Sequence, residues 1–121
     1  MEIKLKQEGY YRYFTLLKIL SSVTDPQIKP FCNLRNRELE LFSIFLYFHN
    51  EEYANIPDPE RQQLIFSYNT RVRMCKMLGD VSMDVVYYLM AQLRKQGLIT
   101  KTEIDERYRI PKPETFKLNF I

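Results

Sequence analysis

Apolar positions recur with helical spacing over most of the chain. Between Tyr10 and Ser22 the positions Tyr11, Phe14, Leu17, Lys18 and Ser21 share one face, and Ile19 and Leu20 widen it. Asp25-Pro26 and Lys29-Pro30 then predict an extended connection, because proline biases the preceding residue away from helix. A second helix is predicted from Asn36 to Tyr53, with Asn36 as its N-cap and Glu38 and Glu40 at the positive end of its dipole. Leu39, Leu41, Phe42, Ile44, Phe45, Leu46, Tyr47 and Phe48 are apolar nearly all round, which marks this helix as the central one. Asn50-Glu51-Glu52 reads as its wet end.

Asp58-Pro59-Glu60 reads as another helix start. The stretch from Gln62 to Tyr68 fits a short helix or a strand through Leu64-Ile65-Phe66. Asn69 or Thr70 is expected to cap a helix ending at Leu78, with Met74, Cys75 and Leu78 inward and Arg71, Arg73 and Lys76 on the other faces. Gly79-Asp80-Val81 forms a tight turn, with Gly79 in the left-handed conformation that ends helices. Ser82 caps the next helix, which buries Val86, Leu89 or Met90, and Leu93, and carries Arg94 and Lys95 near its negative end until Gly97 stops it. Leu98 to Glu103 and Arg107 to Ile110 read as two strands around an Ile104-Asp105-Glu106 turn. After Pro111-Lys112-Pro113, the residues Phe116, Leu118 and Phe120 alternate as in a last short strand.

Composition narrows the class. The 121 residues suit one domain, and 45% apolar content supports one real core. Nine Tyr and eight Phe make a high aromatic load, and each buried Tyr needs a partner for its hydroxyl. The formal charge of +3 permits nucleic-acid binding without arguing for it. Cys32 and Cys75 supply neither a disulfide framework nor a zinc site, so reduced thiols and a cytoplasmic location are expected. The start, Met1 to Lys6, carries charges where a signal peptide needs an apolar run, and Leu39 to Phe48 is too short to span a bilayer.

The two helices around Gly79 carry the functional reading. Met74-Cys75-Lys76-Met77-Leu78-Gly79-Asp80-Val81-Ser82 resembles the joint of a helix-turn-helix, in which a leucine, a glycine, an apolar residue and a capping serine link two helices. Small Cys75 stands where that family has a small residue, often alanine. Leu93-Arg94-Lys95-Gln96-Gly97-Leu98-Ile99 resembles the family's exit from recognition helix to wing. Over roughly Asn36 to Ile110 the chain thus resembles the winged helix-turn-helix superfamily. The resemblance implies an α+β, mainly α fold. Residues 1–35 would hold an additional N-terminal helix and connection, and residues 36–121 the winged domain with a C-terminal β-wing.

The resemblance further implies a non-enzymatic DNA-binding protein, a regulator of transcription or replication that needs no cofactor. Its reading helix would be 83–97 and its wing 99–110. A helix projecting from the body suits the major groove of duplex DNA, which is wide enough to admit one. That helix offers Ser82, Met83, Asp84, Tyr87, Tyr88, Ala91, Arg94 and Lys95. Arg71, Arg73 and Lys76 would contact phosphates, and Arg107 and Arg109 would sit on the wing. The chain departs from the family pattern in carrying two tyrosines and an aspartate on the reading face, and Glu103, Asp105 and Glu106 at the wing tip. Winged helices also dock proteins, so a protein-interaction or assembly module is the alternative. A homodimer through residues 10–22 is expected, because the winged core does not need that apolar helix; the competing arrangement folds it back on the Leu39–Phe48 helix.

Other candidates carry plainer readings. His49, the only histidine, lacks any nucleophile motif and reads as a surface residue at a helix end. Cys75 reads as packing, and Glu51-Glu52 as a solvated end that binds no metal. Tyr10-Tyr11-Arg12-Tyr13 suits stacking on bases or a partner as well as a half-buried helix. No phosphate loop and no dinucleotide fingerprint occurs.

Overall fold

Leu39, Leu41, Phe42, Ile44, Phe45 and Leu46 are all buried, so the helix that carries them is wrapped on every side. In the computed structural model, which describes residues 7–22 and 29–111, the other helices assemble around it. A π-helical turn, Gln7–Tyr11, leads into α1 (Arg12–Leu20). The short α2 (Lys29–Cys32) precedes the central α3 (Asn36–Tyr47), which continues through a π-helical turn, Phe48–Glu52. Then come α4 (Glu60–Ile65), α5 (Tyr68–Met77), α6 (Met83–Lys95) and a 3-10 turn, Glu106–Tyr108. Gln62 to Ile65 is therefore helical. Among the described residues no helix is long and apolar enough to cross a membrane.

Caps explain where the helices start. Ser82 caps α6 by accepting from the Val85 amide at 3.4 Å, as the sequence predicts. Helix α5 begins two to three residues earlier than expected, because Ser67 rather than Asn69 or Thr70 is its cap, accepting from the Thr70 amide at 3.3 Å. Asn36 is the first residue of α3 and not its cap. The Arg35 amide instead donates to the Glu38 carboxylate at 2.9 Å, which leaves Glu38 only 6% exposed. The turn between α5 and α6 runs through Gly79 (φ 98°) and Asp80 (φ 59°), and the Val81 amide closes back on the Cys75 carbonyl at 3.1 Å. A glycine suits the first of these left-handed positions, and aspartate is among the few side chains that tolerate the second.

Phe42, Phe45, Leu46, Met74, Leu78, Val86, Leu89 and Leu93 join in one core, as expected, together with Tyr13, Leu17, Phe31 and Ile65. Helix α1 folds back onto α3. Leu17 is fully buried, and Tyr11, Phe14 and Leu20 pack against the core, so the apolar face that suggested a homodimer interface is used inside the chain. Tyr10 and Tyr13 are buried too; their hydroxyls donate to Glu40 and Glu51, both at 2.7 Å. These rings serve the interior and not a stacking surface.

The α+β expectation is corrected: the protein is mainly helical, and the described residues contain no β-strand and no C-terminal β-wing. Residues 99–110 reduce to one antiparallel bridge, Ile99 to Ile104, followed by the 3-10 turn. Three side chains stop a hairpin. The Thr100 hydroxyl accepts from the amides of Thr102 and Glu103, closing the loop after a single bridge. The Gln62 side chain takes the Ile104 amide at 3.0 Å, a donor that a longer ladder would use. Asp105 accepts from the Arg107 amide at 2.9 Å and turns the backbone into the 3-10 helix. Leu98, Ile99 and Ile104 are all buried, so they plug the core instead of alternating between two faces. The strand expected at Phe116, Leu118 and Phe120 lies outside the described residues.

Candidate nucleic-acid interface

Helix α6 buries Val86, Leu89, Met90 and Leu93 and leaves its other side uncovered. On that side Val85 is 37%, Tyr87 46% and Tyr88 57% exposed. Asp84 is exposed, Ser82 is exposed at the cap, and Met83 and Ala91 are partly buried. Arg94 and Lys95 are exposed in the last turn, and Lys76 is exposed on α5. The structure thus gathers the residues expected of a reading helix on one open helix.

The arginines divide. Arg71 lies 5.5 Å from the centroid of the Tyr87 ring while donating to the Phe66 carbonyl at 2.6 Å, so it props that tyrosine from the side. Arg73 is paired with Glu52 at 2.6 Å and stands over the Phe48 ring at 4.9 Å. The bond to Glu52 raises its pKa further and fixes it as a strut between α5 and the end of the central helix. Arg107 forks onto Asp105 at 3.0 and 3.1 Å. Arg109 is mostly enclosed, with its side chain 15% exposed; it pairs with Asp58 at 2.9 Å and Glu103 at 3.2 Å and donates to the Ile104 carbonyl. Placing Arg107 and Arg109 on a wing is therefore corrected, since the described residues form no wing; Arg107 is held by Asp105, and Arg109 by Glu103 and by Asp58.

Sequence reasoning missed the other side of α6. An open cleft of about 420 Å³ lies between the start of α3 and the outer face of α6, lined by Arg35, Asn36, Arg37, Glu38, Val85, Tyr88 and Leu89. The Arg37 guanidinium donates to the Leu78 carbonyl at 2.8 Å, which ties it to the turn between the two helices. Lys18 of α1 donates to Asn36 at 2.7 Å. The doublet around Asn36 signalled only a helix start, because its nearness to Tyr88 is set by the packing of α3 on α6.

His49 is not at the surface: it is 7% exposed. Its Nδ1 lies 3.0 Å from Gln62 Nε2 and its Nε2 lies 3.2 Å from the Arg61 guanidinium. The Gln62 amide is oriented by the Ile104 amide, which donates to its oxygen, and by Asp58, which accepts from its nitrogen at 3.2 Å. The Arg61 guanidinium can only donate, so it favours an unprotonated Nε2. A proton added there would have no acceptor, and burial, aided by Arg61 and Arg109, lowers the His49 pKa to about 4. Glu51 and Glu52 are anchors for Tyr13 and Arg73 and not a free wet end. Among the described residues no group of three or more His, Cys, Asp or Glu side chains is arranged to hold a metal ion. No protein-family model, no curated protein and no solved structure matches this chain.

Proposed function

We propose that the chain is a non-enzymatic, cytoplasmic module that binds duplex DNA through helix α6, in the service of transcription or replication. One observation carries the reading. Helix α6 is braced across α5 by a tight turn, yet its Ser82, Asp84, Tyr87 and Tyr88 face is left exposed among the described residues. A braced helix with an open face suits the major groove. Tyrosine hydroxyls can hydrogen-bond base edges, their rings can pack on thymine methyls, and Asp84 can accept from a cytosine amino group. Lys76, Arg94 and Lys95 supply positive charge from the same pair of helices.

Fluorescence anisotropy with a mixed-sequence duplex at 50 and 200 mM salt, concentrations spanning the range over which phosphate contacts weaken on the order of a thousandfold or more for a full footprint, tests the reading. Saturable binding that weakens with salt supports it. Absence of binding at the lower salt rejects it. The exposed Val85, Tyr87 and Tyr88 favour a second reading, a protein-docking face, because aromatic side chains dominate interface hot spots. That reading expects no duplex binding and a partner whose affinity falls with Tyr88→Ala and hardly responds to salt.

A further inference from the structure

Three of the arginines expected at the DNA, one toward phosphate and two on the wing, are paired with carboxylates: Arg73 with Glu52, Arg107 with Asp105 and Arg109 with Asp58 and Glu103. A duplex seated on α6 still needs cations on both sides of the helix. The structure supplies them from the other end of the sequence. Lys18, Arg35 and Arg37 are exposed and gather around Asn36 at the start of α3, on the rim of the cleft whose far wall is Val85 and Tyr88.

The position is fixed, not incidental. Arg37 is anchored on the Leu78 carbonyl of the interhelical turn and retains 51% side-chain exposure, so its charge travels with α6 as a rigid body. Asn33 reaches Gln96 just past the other end of α6, at 3.4 Å, so the segment before α3 also touches that end. The acids close by are occupied in part. Glu38 is turned inward to the Arg35 amide, and Glu40 accepts from Tyr10 and lies 3.5 Å from Arg37. Asp84 remains as the exposed acid on α6 itself.

We infer that Lys18, Arg35 and Arg37 form a phosphate-contacting rim for duplex DNA on the side of α6 away from Arg71, an assignment that rests on the duplex reading above. One strand's backbone would run along the Lys18–Arg35–Arg37 rim while Tyr88 and Val85 face the groove. The cleft is then the gap that lets a sugar–phosphate ridge approach the helix flank.

The test is a salt titration of duplex binding by the full chain. Each phosphate contact adds about 0.9 to the slope of log affinity against log salt. The triple variant Lys18→Ala, Arg35→Ala, Arg37→Ala is expected to lower that slope by about 2–3 units. The charge-keeping set Lys18→Arg, Arg35→Lys, Arg37→Lys is expected to restore it. Circular dichroism checks that the triple variant folds. If losing the Arg37 bond unfolds it, the double variant Lys18→Ala, Arg35→Ala carries the test with an expected loss of about 2 units. Wild-type binding with an unchanged slope in the variants overturns the rim and leaves the duplex reading standing. A wild type that binds no duplex at any salt overturns both.

Discussion

Gln62 reaches His49 with its amide nitrogen, 3.0 Å from Nδ1, and with its oxygen holds the amide of Ile104. This one side chain links the end of the central helix, α4 and the residues after α6. A proton on Nδ1 would face this amide nitrogen and so bear on the backbone at Ile104. Gln62 would have to turn its oxygen toward the ring, and its nitrogen would then face the Ile104 N–H.

Stability is therefore expected to fall with acid before the carboxylates titrate. The folded-state pKa of His49 is lowered from 6.5 to about 4, so the folded protein binds fewer protons than the unfolded chain between those values. The stabilisation is fully present above the ordinary histidine range and is lost as pH falls from there toward about 4. Denaturant unfolding at pH 7, 6, 5 and 4.5 should show a loss of roughly 1–3 kcal/mol in the wild type. A His49→Gln variant should show a smaller loss over the same range. Equal pH slopes in the two proteins would place the acid sensitivity elsewhere. Asp58 and Asp105, both lowered below 3.8, add their own losses only at more acidic pH.

Gln62→Leu keeps the volume near that of glutamine and removes the bridge. It strands the buried Ile104 amide, at a cost of about 1–3 kcal/mol. Hydrogen exchange at the Ile104 amide should accelerate more than at the core amides of α3. Unchanged protection at Ile104 would show that another acceptor takes its place.

Phe42 is fully buried and Leu78 is 3% exposed, and both belong to the one core. Phe42→Ala is expected to cost about 3–5 kcal/mol and Leu78→Ala about 2–5 kcal/mol by urea unfolding. Losses well under 1 kcal/mol at both positions, as order-of-magnitude thresholds, would mean that the core closes over such gaps.

Arg109 acts as a clasp. Arg109→Ala is expected to lower stability by roughly 1–3 kcal/mol, since it removes charge-assisted bonds to Asp58 and Glu103 and one to the Ile104 carbonyl. The salt slope of duplex binding should stay the same, whereas a slope reduced by about 1 would return Arg109 to the phosphate contacts.

The helices were legible because their signals are local. The apolar run Leu39 to Phe48, the Gly79 stop and the Ser82 cap each lie within a turn or two of what they determine. The wing was misread for the opposite reason. Thr100 and Asp105 act within the stretch, but the bond that takes the Ile104 amide comes from Gln62, 42 residues earlier, and nothing in 98–110 announces it. Arg73 and Arg109 looked free for the same cause, since their carboxylates lie 21 and 51 residues away. Helix α6 was legible by its cap and period, while its flank at Arg35 and Arg37 depends on how α3 crosses α6. His49 was misplaced because a helix end near charged residues suggests solvent, and α4 covers it.

The Tyr10 hydroxyl also reaches the Met77 carbonyl at 3.1 Å, across 67 residues of sequence. A chain emerging from a ribosome cannot make that bond until the last turn of α5 is out. Until then Tyr10, Tyr13 and Leu17 have only part of the surface they will cover, and closing so long a loop has its own entropic cost. Helix α1 packs on α3, yet the bond that pins its leading turn waits for α5. A nascent chain stalled before α5 should leave that turn open to protease, and release of the segment through Met77 should protect it.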